Sequence, residues 1–543
     1  MAAGAALFLG VFGLYMRTMC GSYDVVDGGE FLSAGASLGV AHPPGYPLFV
    51  LAERLLLAVP AGGPEFRMAL LAPLAGAAAA AAAAMVLRRV WGAAAGWLAA
   101  AAIAVQPAVW AQGTGLKDAA NLWHLWAAVV VCGAFAIQAG PRAFLAAALA
   151  LGLASANLAA GAIALWAAAL VSLAIVPAAR SALSGRRIGL VAVMAALAVS
   201  SYLVLPIRAA AAPAVCWGDW HRLHGVGRVA GWLVGWVHTD FFHMDWAGWR
   251  LHRGLVTSLV VAAAAGGILG RRADRGNPVW TLSALAAVAV AWGGLAKDVA
   301  RGELQYLLPL FPFAAVGAAG VARWAPVRPA VVRWIVGGAA AALIVLGIGH
   351  ARDRDRSRYY LMHDMTANVI RSLPDRASTV LCFGDYEYDA LRWRQIGWGE
   401  RSSAALVHLR IVLLAPAHGD HLAELGRIYP GFRAPRGGVT SPAELDALAA
   451  AIVSENSARG PVFAEAPNLV AGSFWVRLRA IPSCPDGFLV RLGGPCASAA
   501  AQNRRVGRFR FRGVWDPSVI HDRWDVALAE DARATAVALR GMR

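Results

Sequence analysis

Residues 66–87 read FRMALLAPLAGAAAAAAAAMVL, an apolar run that includes Arg67 near its start and is followed by Arg88 and Arg89. An α-helix needs roughly 20 apolar residues to cross about 30 Å of hydrocarbon, so this run predicts a transmembrane helix. The whole chain agrees: of its 543 residues, 59% are apolar and 15% charged, and the mean hydropathy is +0.55. Soluble domains have about 25% charged residues, and disordered chains have low hydrophobicity. The composition therefore excludes both classes.

Similar runs recur along the first 349 residues and predict eleven membrane spans. They lie near residues 2–20, 66–87, 93–112, 119–139, 143–157, 160–178, 188–207, 254–270, 278–296, 304–322 and 331–349. The stretch 45–60 is also apolar, but Glu53 and Arg54 interrupt it, so we expect a helix at the membrane interface there. Continuous apolar runs exclude a transmembrane β-barrel, whose strands alternate over about ten residues.

The composition changes near residue 350. Lys and Arg number 23 and Asp and Glu 12 before this point, against 26 and 20 after it. Strand-like runs at 378–383, 407–415 and 461–464 alternate with helical patterns, which predicts an α/β domain of about 190 residues. The predicted fold class is mainly α: a polytopic helical membrane domain followed by an extracytoplasmic α/β domain. The predicted limits are 1–349 for the membrane domain, 21–65 and 208–253 for its two large outer loops, and 350–543 for the α/β domain.

The distribution of charge predicts the orientation of the chain. If the N-terminus is cytoplasmic, the predicted inner loops carry twelve arginines and one acid, Asp274, and the other eleven acids of the membrane part lie outside. This is the segregation that the positive-inside rule describes. It predicts a bacterial inner-membrane protein with a periplasmic or extracellular C-terminal domain. Because topology accounts for much of the formal charge of +17, no nucleic-acid partner is expected.

Two of the six cysteines, Cys484 and Cys496, lie twelve residues apart in the predicted exported domain. An oxidising compartment would favour a disulfide between them, but the spacing fits two free thiols equally well. No CxxC pair occurs in the chain, so we expect no structural zinc site.

The predicted first outer loop carries the residues that point to chemistry. Tyr23–Phe31 reads YDVVDGGEF, and residues 39–48 read GVAHPPGYPL. Asp24, Asp27 and Glu30 fall within seven residues, and carboxylates held together raise the pKa of one of them, which suits a general base. The two glycines would let the backbone approach a ligand closely. The same pattern also fits a helix N-cap at Asp27 followed by a proline-rich connector, so the spacing leaves both interpretations open.

Five segments in order resemble the transmembrane protein 260 family of protein O-mannosyltransferases, which are GT-C glycosyltransferases. The most specific is DGGEFLSAGASLGVAHPPGYPLFVLAERLLLAVP at 27–60. The others are YLVLPIR at 202–208, CWGD at 216–219, QYLLP at 305–309 and NVIRSLPDRASTVLCFGDYEYD at 368–389.

This resemblance implies a mechanism. A polyprenyl-phosphate-linked sugar would keep its lipid in the bilayer, and an acid of the first loop would deprotonate an acceptor hydroxyl that attacks the anomeric carbon with inversion. By position in the motif, Asp27 is the expected base and Asp24 the alternative. Glu30 would orient the acceptor or bind a divalent metal, which the sequence leaves open as a cofactor.

The resemblance and the residue types also suggest groups that bind substrate. These candidates are His42, Tyr46, Lys117, Arg208, Trp217, Asp219 and Asp385. The guanidinium of Arg208 matches a lipid phosphate, although it could equally extend to the membrane interface. Trp217 could stack on a sugar or anchor the interface. Asp385 follows a predicted strand, where a ligand crevice commonly forms, but a solvated turn fits as well.

Other classes of protein fit parts of the pattern. The expected partners are a lipid-linked sugar donor, membrane lipids and an exported protein that presents Ser or Thr. The acceptor could instead be an envelope glycan or lipid. A lipid-sugar transporter would place polar residues within its spans, often with internal repeats, whereas the acids here cluster outside the spans. A non-catalytic scaffold with the same architecture is the third alternative.

The predicted orientation can be tested with reporter fusions. An alkaline phosphatase fused after Arg352 should be active in a bacterial host, because this point is predicted to lie outside the membrane. The same reporter fused after Arg187, in a predicted inner loop, should be inactive. A silent fusion at Arg352 together with an active cytoplasmic reporter there would contradict the number of predicted spans.

Overall fold

The computed structural model describes most of the N-terminal and C-terminal parts of the chain. The described residues are 2–24, 27–42, 45–116, 119–136, 140–157, 165–166, 169, 185–211, 328–409, 412, 419–435, 442–465, 481–520 and 523–541. The predicted spans 254–270, 278–296 and 304–322, and most of 160–178, lie outside these residues.

Helices dominate the part before residue 350. They are α1 Ala2–Thr18, α2 Gly28–Ser37, α3 Pro47–Leu56, α4 Pro64–Ala69, α5 Leu71–Trp91, α6 Ala93–Val105, α7 Pro107–Thr114, α8 Ala119–Ala136, α9 Gly140–Ser155, α10 Gly185–Val199, α11 Val204–Ala210 and α12 Pro329–Gly349. A 3₁₀ turn, Ser200–Leu203, joins α10 to α11.

Three helical stretches of the described residues are long and apolar enough to cross a membrane: Pro64–Arg89, Ile188–Ala210 and Pro329–Gly349. They correspond to three of the predicted spans. Shorter apolar helices occupy the predicted spans near 2–20, 119–139 and 143–157. The last two long stretches are only 12% and 11% buried in the protein, as expected for helices that present apolar side chains to lipid. The chain is an integral membrane protein.

The predicted span at 93–112 consists of two helices. Helices α6 and α7 meet at a 60° bend, because Pro107 has no N–H to continue the backbone ladder. Gln106 caps the second helix instead, since its Oε1 accepts hydrogen bonds from the Ala108 and Val109 amides at 2.7 and 3.1 Å. The two helices form either a broken span or a re-entrant segment.

The part after residue 350 combines helices with a five-stranded sheet. Its helices are α13 Ala351–Arg354, α14 Leu361–Ser372, α15 Asp385–Trp398, α16 Gly419–Ile428, α17 Pro442–Asn456, α18 Ala499–Val506 and α19 Arg523–Gly541. Its strands are β1 Ser378–Cys382, β2 Ala404–His408, β3 Val462–Glu465, β4 Ser483–Asp486 and β5 Leu489–Leu492. The sheet order is β2-β1-β3-β5-β4, with β1 parallel to β2 and β3 and the β3–β5–β4 pairs antiparallel.

The α/β pattern read from the sequence is present in these described residues. The strands predicted at 378–383 and 461–464 match β1 and β3, but the second strand begins three residues earlier than predicted, at Ala404. Both parallel neighbours of β1 are buried along their lengths, as is typical of parallel strands covered on both faces. Cys484 and Cys496 form a disulfide, which resolves the choice that their spacing left open.

The two glycines of the first outer loop allow α2 to pack closely against the α/β part. A Cβ atom at Gly29 would lie 2.6 Å from the Ala390 amide nitrogen in α15, and one at Gly28 would lie 2.5 Å from Asp24 Oδ1. The glycines predicted to admit a ligand therefore admit protein backbone and an aspartate side chain. One continuous apolar core joins residues of the first loop, such as Phe31, to residues of the α/β part, such as Trp393.

We expect Gly29→Ala to destabilise the protein by about 1–3 kcal/mol, the usual cost of overpacking a close contact. The direction of the change in stability is informative, because replacing glycine by alanine in a helix otherwise stabilises it by about 1 kcal/mol. Thermal unfolding of the purified protein measures the effect. Gly21→Ala is the matched control, because a Cβ at Gly21 meets nothing within 4 Å. An unchanged midpoint for Gly29→Ala would contradict the close packing.

Candidate active site

Helix α2 presents Asp27 at its first turn. Asp27 occupies the N-cap position, yet its side chain makes no capping hydrogen bond. The carboxylate is half-buried, and its position beside the helix N-terminus favours negative charge. The simple capping interpretation of this aspartate therefore does not apply.

Glu30, one helical turn further on, is 2% exposed and is bound by His42. The His42 backbone N–H donates to Glu30 Oε1 at 2.6 Å, and the ring Nδ1 lies 2.6 Å from Oε2. Since a carboxylate accepts, Nδ1 carries the proton in this contact. His42 is thereby fixed to α2 through two hydrogen bonds.

Aromatic side chains form a wall beside this pair. The Phe31 ring lies 5.0 Å from Tyr46 and 4.9 Å from Phe49, measured between ring centroids, and His42 lies 5.2 Å from Tyr46. Tyr46 has a left-handed backbone, with φ at 44°, which is uncommon for a bulky residue. The strained turn places the Tyr46 ring against His42 immediately before α3 begins.

Asp27, Glu30 and His42 converge. One ligand atom from each of the three lies within 4.8 Å of the others. Carboxylate oxygens with one imidazole nitrogen form a donor set that divalent cations accept. Within the part of the chain that the structure describes, these three side chains form a group that could hold a metal, and they equally form a polar group able to position a hydroxyl.

The α/β part adds a carboxylate from the acidic stretch at 385–389, which the sequence places after a predicted strand. Asp389 of α15 is 5% exposed. Burial and the carboxylates of Glu30, Asp385 and Asp27 raise the pKa of Asp389 well above its ordinary range. A signal was present in the sequence: Asp389 follows Asp385 by four residues, so the two share one face of the helix.

The remaining substrate candidates among the described residues have partners elsewhere. The carboxylate of Asp24 pairs with Arg356 at 3.7 Å. Arg208 donates to the carbonyls of Leu38 and Ser37 at 2.6 and 2.9 Å, at the C-terminal end of α2. Asp385 Oδ1 lies 3.0 Å from Nε2 of His408, and His408 is fully buried. Lys117, Trp217 and Asp219 lie outside the described residues.

Two further acids of the first loop are structural. The buried Glu65 accepts hydrogen bonds through Oε1 from the indoles of Trp393 and Trp398, at 2.9 and 2.7 Å, and so ties α4 to α15. Glu53 of α3 is fully buried, and burial raises its pKa well above the ordinary range. A neutral Glu53 and a bonded Glu65 leave Asp27 and Glu30 as the loop acids grouped with His42.

The fold is similar to that of GT-C glycosyltransferases. The crystal structure of ArnT from Cupriavidus metallidurans bound to undecaprenyl phosphate matches with a TM-score of 0.54 and 13% identity, covering 91% of this chain and 98% of that chain. Archaeal oligosaccharyltransferase AglB from Archaeoglobus fulgidus, in complex with an inhibitory peptide and a dolichol-phosphate, matches at 0.48 and 11%, covering 90% and 74%. At such identities the likeness concerns the fold alone.

A family model described as the protein O-mannosyl-transferase TMEM260 N-terminal domain matches residues 27–217. The chain is also 37% identical over 99 residues to protein O-mannosyl-transferase TMEM260 of Mus musculus. That match covers 18% of this chain and 14% of the mouse protein. The resemblance found in the first outer loop is thus confirmed, and both Asp27 and Glu30 lie within the matched residues.

We expect Glu65→Ala to destabilise the protein by about 1–3 kcal/mol, because two indole N–H groups lose their acceptor. Glu65→Gln should be close to the parent, since its amide oxygen still accepts from both indoles. Thermal unfolding and a sugar-transfer assay distinguish the two roles. A Glu65→Ala protein that melts normally but has lost all activity would show that this acid takes part in chemistry.

Proposed function

We propose that this chain is a membrane glycosyltransferase. It moves a hexose, mannose being the first candidate, from a polyprenyl-phosphate donor to a hydroxyl of Ser or Thr in an exported protein. The family match over residues 27–217 supports the class of reaction. The helical membrane part with an α/β part after about residue 350 supports a lipid-linked donor that meets its acceptor outside the membrane. The proposed location is the bacterial inner membrane, with the α/β part on the extracytoplasmic side.

The placement of Asp27 is the observation that carries this proposal. Its half-buried carboxylate does not cap α2, and it lies within 4.8 Å of ligand atoms of Glu30 and His42. Asp24, the alternative base, is instead packed against Gly28 and paired with Arg356. Among the described acids of this loop, Asp27 therefore combines accessibility with a group of polar neighbours.

The proposed step is a single inverting displacement. Asp27 removes the proton of the acceptor hydroxyl, and the oxygen attacks the anomeric carbon from the face opposite the phosphate. The bond between the anomeric carbon and the phosphate oxygen breaks, and polyprenyl phosphate leaves with the electron pair. Glu30, held by His42, orients the acceptor or shares a divalent cation with Asp27 and His42. A positioned general base contributes about 10²–10⁴ in rate.

The donor phosphate needs cationic or hydrogen-bonding partners near the membrane surface. Arg208 is the candidate among the described residues. Two of the N–H groups of its guanidinium donate to carbonyls at the C-terminal end of α2, and a guanidinium has five such donors. Lys117, Trp217 and Asp219 stay in the proposal as sequence-based candidates for the phosphate and the sugar. Tyr46 offers an aromatic face beside His42, which suits stacking on a sugar ring.

Asp27→Asn should lower sugar transfer by about 10²–10⁴, because the amide cannot accept the proton. Folding should stay intact, because asparagine is nearly the same size as aspartate and is equally favoured at the start of a helix. The assay uses the full chain in lipid vesicles, with polyprenyl-phosphate mannose and peptides rich in Ser and Thr. Mass spectrometry of the peptides is the readout, and an envelope-glycan extract serves as the second acceptor.

Asp24→Asn is the matched control. It should lower the thermal midpoint, because the pair with Arg356 is lost, while turnover persists. The reverse outcome, with turnover lost in Asp24→Asn and kept in Asp27→Asn, would transfer the base role to Asp24. Transfer to the envelope extract but not to the peptides would show that the acceptor is an envelope glycan and not a protein. If the parent transfers sugar to neither acceptor, the proposal of an enzyme of this class is contradicted.

A further inference from the structure

A cavity lies in the α/β part, away from Asp27. Its volume is about 280 Å³, and its wall includes Ser378 at the start of β1, Ser402 and Ser403 just before β2, and Arg459 and Gly460 just before β3. All three parallel strands therefore begin at this cavity. A close backbone contact shapes the wall, since a Cβ at Gly460 would lie 2.4 Å from the Ala377 carbonyl oxygen.

The cavity occupies the edge of the sheet opposite the candidate active site. Open parallel sheets usually bind ligands at the carboxyl ends of their strands. Here the carboxyl end of β1 leads into α15, which packs against α2 through Ala390 and Gly29. The carboxyl-terminal edge of the sheet is therefore occupied by the contact with the first outer loop. The amino-terminal edge, roughly 16 Å away along a strand of five residues, holds the cavity.

Some hydrogen-bonding groups of the cavity wall are already bonded within the protein, and others can bond a ligand. The Tyr429 hydroxyl is bonded by Arg392 and Gln395, and the Asn456 amide bonds the Arg433 backbone and the Ile452 carbonyl. Ser378, by contrast, is 6% exposed and its Oγ has no hydrogen-bond partner among the described residues. A buried hydroxyl without a partner is costly, which indicates that a ligand or solvent completes it.

The electrostatics favour a neutral ligand. Helices α16 and α17 end at the cavity wall, at Ile428 and Asn456. The C-terminal end of a helix carries a partial negative charge, so both helices present negative ends to the cavity. This disfavours an anion. Within the described part of the chain, Arg459 is the charged residue of the wall, and it is exposed, so a cation is disfavoured too. Serine hydroxyls both donate and accept, and Arg459 donates, so the wall matches a molecule that carries several hydroxyl groups.

We propose that this cavity binds one ring of a neutral saccharide. The volume is at the small end for ligand pockets, which suits a single sugar ring. Tyr429 and Phe432 supply apolar surface beside the serines. The bound ring would belong to a glycan that reaches the α/β part from outside, and the binding needs no step at Asp27.

Saturation-transfer NMR on the full chain in lipid nanodiscs tests this proposal without sugar-headed detergents. The probes are the methyl glycosides of mannose, glucose and galactose. Inorganic phosphate, which has no carbon-bound protons to observe, is added as the charged competitor that would displace them. Signals from at least one glycoside are expected. Ser378→Val should weaken the binding by about threefold to tenfold, as expected for one hydrogen bond, and valine is well suited to a strand.

Arg459→Gln provides a second variant that folds readily, because Arg459 is exposed, and it should weaken binding similarly. Asp27→Asn is the control and should leave the signals unchanged, which separates this cavity from the proposed active site. Glycoside signals that are absent, or unaffected by both cavity variants, would overturn the proposal. Binding of phosphate in place of every glycoside, or loss of the signals in Asp27→Asn, would overturn it as well.

Discussion

The contact between Gly29 in α2 and the backbone of Ala390 in α15 is the constraint on which the arrangement depends. Because a single methyl group would fill the space between them, the first outer loop is held directly against the α/β part. The same contact brings Asp389 toward Asp27 and Glu30, so one small residue fixes both the interface and the acidic group. Glycine is required here for its lack of a side chain, since no positive φ is involved.

Carboxylates that lie close together repel one another unless they are hydrogen-bonded, paired with a cation or protonated. The acids of this region differ in which of these applies. Glu30 is bonded twice by His42, Glu65 by two indoles, and Asp24 is paired with Arg356. Glu53 and Asp389 have pKa values raised by burial, so both favour the neutral form. Asp27 lies half-buried in the same group, and its carboxylate does not cap its helix.

Periodicity and composition predicted the elements well where one physical rule dominates. Apolar length determines a span, so the predictions at 66–87, 188–207 and 331–349 agree with the structure. The bend before Pro107 could have been predicted, since proline interrupts the backbone ladder, but the continuous apolar run concealed it. The start of β2 was misplaced because short buried strands have no sharp boundary signal.

The sequence by itself determined that the chain is a membrane protein and where its described apolar helices lie, because these properties depend on local composition. It also identified the family resemblance that the DGGE and HPPGYP segments carry, which depends on their residues and spacing. Only the tertiary structure decided how each acid is buried and which partners it has. Asp24, Asp27 and Glu30 are three neighbouring carboxylates that the sequence does not distinguish. Their surroundings differ because Arg356 pairs with Asp24, His42 bonds Glu30, and α15 packs beside them. Those partners are distant along the chain or belong to another part of the fold, and their positions follow from packing rather than from any local pattern.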